Sequence, residues 1–330
     1  MEGKRFNVLD GWRGISILLV LTTHLLPVGP HSWHLNLTTG MMGMALFFSL
    51  SGFLVTHFLL KNSSVSDFII RRFFRIVPLA WLYVICVLSF YQVSASTWTA
   101  HLLFYANLPP KPLIQVTDHL WSLCVEMQFY VGIAILVALL KKRGLLLIPL
   151  LCAAFTMLRI ANGMEASVIT YYRIDEVLAG GIIALIYHGK LGAWPVEALK
   201  RVYYPAVFAL LLISCHPDSG FMNYLRPYLA AILVGATLYN QQTWLAVGLQ
   251  HRTLLYIASI SYALYVIHPL LNATWLGSGD LLEKYSKRPL LFAALFLSAH
   301  VSTYYYEHKW IAWGKQLSEK LKAKPQAEAP

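Results

Sequence analysis

Arg13 and His24 stand eleven positions apart in one long apolar stretch, LDGWRGISILLVLTTHLL, from Leu9 to Leu26. At about 100° per residue they share one helix face, separated by roughly 16 Å along the axis. A charge inside an apolar span is costly unless something answers it, so both residues are functional candidates. The face offers a fixed cation near one end. Near the other it offers an imidazole, which titrates close to neutral pH and suits a general base. The plainer reading has Arg13 snorkelling to one membrane surface and His24 reaching the headgroups of the other.

Three further groups carry possible chemistry. Glu126 lies in HLWSLCVEMQFY, one or two turns into an apolar run. Its partner is either a structural arginine such as Arg173, or His24, whose ring a carboxylate would orient. In SDFIIRRFFRIVP, Arg72 and Arg75 are three apart and share a helix face. They read as a topology anchor or as a paired guanidinium site for phosphate. Arg173 and Asp175 open another run, and His268 sits in a later one; these are candidates for holding an acceptor or for a structural role.

The remaining polar residues have plainer readings. Gly43, Ser49, Ser51, Gly52, Gly180, Gly181, Ser259 and Ser261 let helices approach closely. His57, His101, His188, His300 and His308 show no ligand spacing, and Glu307 reads as a partner for an arginine. The four cysteines have neither metal-ligand nor disulfide-framework spacing and read as packing residues.

Elements must position these groups, and composition says of what kind. Of 330 residues, 58% are hydrophobic and 12% charged, about half the charge of a soluble domain. Long apolar runs recur to the end, which predicts an all-α polytopic membrane bundle of about ten transmembrane helices. The expected spans are 8–27, 41–60, 74–94, 119–140, 144–161, 169–188, 202–216, 222–240, 254–275 and 289–312. The net charge of +11 comes from short basic clusters between runs, not from a nucleic-acid surface. Most of those clusters, Lys4, Arg5 and Lys324 included, fall on the N-terminal side, so both termini are expected in the cytoplasm. That orientation brings His24, Glu126, His268, Arg173 and Asp175 to one outer layer. Residues 1–314 read as one integral membrane domain and 315–330 as a loose polar cytoplasmic tail. The N-terminus does not read as a signal peptide, because residues 22–30 lack a convincing small-residue cleavage site.

In order along nearly the whole chain stand LDGWRG followed by His24, LFFSLSGFL, FIIRRFFRIVPLAW, HLWSLCVEMQFY, YYRIDEVLAGGIIAL and SISYALYVIHPLL. This ordered set resembles acyltransferase family 3, the OafA-type integral membrane acyltransferases. The resemblance implies transfer of an acyl group, usually acetyl, from cytoplasmic acyl-coenzyme A to a hydroxyl of a glycan or other acceptor at the membrane. It also implies that Arg13 and His24 are essential and that Arg72 and Arg75 are important. Met127 stands where the family often has a second acidic residue, and Trp12 where leucine is usual. The extracytoplasmic esterase-like domain of some members is not expected.

The resulting expectation is a membrane-bound O-acyltransferase, an O-acetyltransferase of a cell-surface or exported glycan, in the bacterial cytoplasmic (inner) membrane. Acetyl-coenzyme A, or another acyl-coenzyme A, is its donor substrate, with no permanently bound cofactor and no metal. Arg13, Arg72 and Arg75 would bind the donor. His24 would act as base, with Glu126 orienting its ring. Arg173, Asp175 and His268 would meet the acceptor or serve the scaffold. Glycan or glycolipid acceptor and lipid bilayer are the expected partners. A transporter of a glycan precursor or acidic metabolite also suits buried charges, but the chain has no internal repeat of the kind many transporters show. A purely structural membrane protein leaves Arg13, His24 and Glu126 without a reason to be buried.

Overall fold

Proline divides the apolar runs. Pro149, Pro195, Pro205, Pro227 and Pro289 each occupy the first turn of an α-helix. There the missing N–H costs nothing and the fixed φ favours helix, so each proline starts an element rather than sitting inside a longer one. The computed structural model describes residues 6–62 and 64–323. Lys4, Arg5, Lys324 and the end of the expected tail therefore lie outside the described residues.

Sixteen α-helices and no β-strand occur among the described residues. They are α1 Asn7–Leu25, α2 Leu35–Lys61, α3 Val65–Leu88, α4 Ala95–Leu102, α5 Trp121–Leu140, α6 Ile148–Ala161, α7 Asp175–Tyr187 and α8 Trp194–Lys200. The second half holds α9 Tyr204–Cys215, α10 Arg226–Tyr239, α11 Trp244–Leu249, α12 Arg252–Ser259, α13 Ser261–Asn272, α14 Leu281–Ser286, α15 Arg288–Val301 and α16 His308–Ala323. Short 3₁₀ turns join several of them, and a π-helical segment, Ser302–Glu307, joins α15 to α16.

The all-α class holds, but the count of about ten transmembrane helices does not. Among the described residues, two helical stretches could cross a membrane by length and composition, Leu35–Lys61 and Asp118–Ala161. The number rises to four if two bent pairs, α8 with α9 (95°) and α12 with α13 (66°), are each one span. The reason is physical. Helices α7, α9, α10, α13 and α15, taken singly, have 12 to 14 residues. They rise about 18–21 Å, against the roughly 30 Å of a hydrocarbon core. Helix α3 reaches length but carries Asp67, Arg71, Arg72 and Arg75 in its first half. The apolar helices still support an integral, multi-pass membrane protein.

Helix α1 packs against α2, α10, α11, α12 and α13. Buried Trp12 donates its indole N–H to Thr237 on α10 at 3.0 Å, and Ser16 donates to the Gly43 carbonyl of α2 at 2.6 Å. The helix ends where Leu26 turns extended immediately before Pro27, which disfavours helical continuation.

Helices α2 and α7 touch backbone to backbone. A Cβ on Gly52 would lie 1.7 Å from the Val177 carbonyl oxygen, and one on Gly180 would lie 1.9 Å from that of Ser49. No side chain can yield there, because the obstacles are main chain. Gly180→Ala is therefore expected to destabilise by about 1–3 kcal/mol or more as the helices part. A lowered thermal midpoint of the solubilised protein checks this; an unchanged midpoint refutes the close approach.

Residues 315–323 do not form a loose tail but continue α16. Trp310 stacks over Phe74 of α3, with ring centroids 6.1 Å apart, and Gly314 packs against the same phenylalanine. Lys322 pairs with Asp67 at 2.6 Å, and Ser318 donates to the same carboxylate.

Candidate active site

Two helices run along a narrow cavity of about 80 Å³. Helix α1 contributes Arg13, Ile17 and Val20; α13 contributes Tyr262 and Tyr265. Residues spaced by three or four fall on one helix face, so continuing each series one turn leads to His24 on α1 and His268 on α13. The structure brings those rings together, with centroids 5.1 Å apart.

At the opposite end the cavity is cationic. Arg13, Arg72 and Arg75 line it together with Glu126. Arg13 pairs with Asp10 at 3.2 Å, and Arg72 lies over the Tyr130 ring, 5.4 Å from its centroid. Arg75 makes no hydrogen bond or ion pair with the described residues, and it is open to solvent. The three guanidinium groups are near enough to repel one another. Arg72 and Arg75 also line a second, larger cavity of about 240 Å³, so the two spaces meet at this pair. Phosphate oxygens suit such a set, because guanidinium forks offer paired donors in the right geometry.

Glu126 does not meet His24. Its Oε1 accepts from Ser51 of α2 at 2.5 Å and from Tyr130, one turn along its own helix. No hydrogen bond joins it to the imidazole among the described residues. The expected pairing fails because Glu126 faces the arginine end of the cavity, whereas His24 lies a turn beyond the cavity's other end. The carboxylate whose charge acts on His24 is Asp118, in the 3₁₀ turn leading into α5.

Reasoning from the sequence also passed over His119, the first residue of the HLWSLCVEMQFY motif. Its ring lies 5.4 Å from that of His268, and Tyr265 donates to its backbone carbonyl. His268 donates from Nδ1 to the Tyr265 carbonyl at 2.8 Å, because a carbonyl can only accept. In the neutral ring its Nε2 is then an acceptor, buried and without a partner among the described residues. Three imidazoles thus follow one another at the far end of the cavity.

Arg173 and Asp175 stand apart from this group, in a buried charge network. Asp175 accepts from Arg159 at 2.5 Å, from Thr156 at 3.1 Å and from the Glu176 backbone N–H. Glu176 pairs with Arg226 at 2.8 Å and Arg173 at 3.2 Å. All five charged side chains are almost fully buried. The Arg173 guanidinium also lies over Trp121, 5.2 Å from the ring centroid. This arrangement favours the scaffold role over acceptor contact. Arg159 and Arg226 were not singled out, although an arginine inside an apolar run calls for a carboxylate partner. Glu307, expected beside an arginine, accepts from Ser302 and Thr303 and feels the charge of Arg75.

A family described as "Acyltransferase domain" matches residues 6–308. The chain is 26% identical over 325 residues to the peptidoglycan O-acetyltransferase OatA of Listeria monocytogenes, covering 81% of this chain and 49% of that protein. It is 26% identical over 323 residues to the putative peptidoglycan O-acetyltransferase YrhL of Bacillus subtilis, covering 79% and 47%. It is 28% identical over 311 residues to a putative O-acetyltransferase of Staphylococcus aureus strain COL, covering 79% and 49%. The chain spans about half the length of these curated relatives. No solved structure matches. With nearly its whole length matched, and with the ordered motifs that carry the resemblance, the chain belongs to acyltransferase family 3.

Proposed function

We propose that this chain is a membrane O-acetyltransferase that takes its acyl group from an acyl-coenzyme A and passes it to a hydroxyl of a cell-surface glycan. The carrying observation is the line of residues itself: arginines at one end of a narrow cavity, of which Arg72 and Arg75 have no carboxylate partner among the described residues, and accessible imidazole beyond the other. A donor with phosphates, a long thin arm and a reactive tip has the same order of parts. The relatives' names make peptidoglycan the first acceptor to test, and the bacterial cytoplasmic membrane the first location.

In this reading Arg72 and Arg75 hold donor phosphates and the pantetheine arm passes Arg13. Glu126, fixed by Ser51 and Tyr130, balances the surplus cations along that path instead of orienting the imidazole. The acceptor hydroxyl oxygen attacks the thioester carbonyl and its proton passes to His24. The carbon–sulfur bond breaks, and the imidazolium returns the proton to the departing thiolate. The bare Nε2 of His268 is a proton acceptor for the acceptor sugar or for His24.

Purified full-length protein, labelled acetyl-coenzyme A and peptidoglycan fragments test the activity. Acceptor-dependent release of free coenzyme A with label in the glycan supports it. Glycan flux without thiol release supports transport and sinks it. Arg72→Ala is expected to weaken coenzyme A binding by about 1–3 kcal/mol, the worth of a charged hydrogen bond. An unchanged donor Kd in calorimetry removes Arg72 from the site.

A further inference from the structure

The larger cavity has a wall that the family match does not reach. Its lining is Phe58 of α2, Phe68, Arg71, Arg72 and Arg75 of α3, and Ile311 and Lys315 of α16. The matched residues end at 308, so Ile311 and Lys315 both lie beyond them. Four of the seven lining residues are cationic and none is acidic. Arg71 is committed to Asp67 at 2.5 Å. Lys315 makes no hydrogen bond or ion pair with the described residues, and its side chain is exposed. A lysine held beside three arginines is repelled by them, so something other than its own charge must keep it there.

That something is visible one and two turns further along α16. Ser318 and Lys322 both bond to Asp67, which also accepts from Arg71. The Asp67 carboxyl is buried, which opposes its ionisation. Its bonds from Lys322, Ser318 and Arg71 outweigh that and hold it down to about 2. One carboxylate thus ties α16 to the base of α3, and the tie overcomes the repulsion between Lys315 and the arginines. Trp310 against Phe74 fixes the other end of the contact.

We infer that α16 is a functional wall of the donor pocket and that Lys315 is a phosphate-binding residue, with Asp67, Ser318 and Lys322 as its positioning clamp. The ligand class is a molecule with two or more phosphate groups. The apolar walls at Phe58, Phe68 and Ile311 leave room for a flat, weakly polar portion such as a nucleoside. The inference rests on the acyl-coenzyme A reading. It adds that the donor site is completed by the part of α16 that runs beyond the matched segment.

The test measures the Kd of coenzyme A for the full chain in nanodiscs of phosphatidylcholine, with Arg72→Ala as reference. Lys315→Ala is expected to weaken binding about tenfold, Lys315→Arg to restore most of it, and Lys322→Ala to weaken it a few-fold by loosening the clamp. Lys320→Ala, on the same helix but not in the cavity wall, controls for net charge and should change nothing. Weaker binding in Arg72→Ala with unchanged binding in Lys315→Ala overturns this inference and leaves the donor reading standing. Absence of coenzyme A binding in the unmodified protein overturns both. A lipid headgroup shares the phosphate chemistry. Repeating the series with phosphatidylglycerol separates the sources: if Lys315→Ala alters retention of that lipid but not the coenzyme A Kd, the pocket belongs to lipid and the inference fails.

Discussion

His24→Ala is expected to cut acyl transfer by about 10²–10⁴-fold while leaving the Kd of coenzyme A unchanged. The two readouts separate because the two ends of the cavity are separate. His24 lies roughly three helical turns from Arg13, too far for its imidazole to touch phosphates held by the arginines. In the proposed mechanism, deleting the ring removes the group that takes the acceptor's proton, without opening the donor pocket. Turnover and calorimetry on one preparation check both halves. Turnover at the normal rate would end the general-base role, and a weakened donor would place His24 in binding instead. Glu126→Gln gives the contrast. Its carboxylate sits with Ser51, Tyr130 and the arginines, so its loss should show first in donor binding, whereas an orienting partner of His24 would lower the rate alone.

Glu176→Gln is expected to cost about 3–5 kcal/mol of stability. Its carboxylate pairs with both Arg173 and Arg226, and all three side chains are almost fully buried. An amide keeps the shape and one acceptor oxygen but removes the charge. Two arginines are then left in a low-dielectric interior with Asp175, which Arg159 already occupies. Thermal unfolding of the solubilised variant reads the effect. The same measurement decides between the two roles of Arg173 and Asp175. A large loss of thermal midpoint supports the scaffold role. An unchanged midpoint with a raised KM for the glycan would return this cluster to the acceptor site.

The placement of polar groups was legible where it depends on one helix. Arg13 and His24 lie on a single apolar stretch, and 3.6-residue periodicity is a local property that spacing reveals. The same holds for Arg72 and Arg75, which do line one cavity, and for Gly52 and Gly180, whose absent side chains do admit a neighbouring backbone. The number of membrane-crossing helices was not legible from apolar length alone. Hydropathy sums over a window, whereas Pro205, Pro227 and Pro289 start new helices inside or beside the apolar runs and leave pieces too short to cross alone.

By itself the sequence determined the kinds of group present, their order along each helix and the all-α, apolar character of the scaffold. Only the tertiary structure decided which charges meet. Glu126 turns to Ser51, Tyr130 and the arginines, the charge of Asp118 reaches His24, His119 joins His268, and Lys315 is held beside the arginines by a clamp on Asp67. Partners such as Glu126 and Ser51, or Asp67 and Lys322, lie 75 and 255 residues apart in the chain. Their meeting is set by how helices cross and rotate against one another. Periodicity within one helix carries no information about that rotation, because it is fixed by packing between surfaces that come from distant parts of the chain.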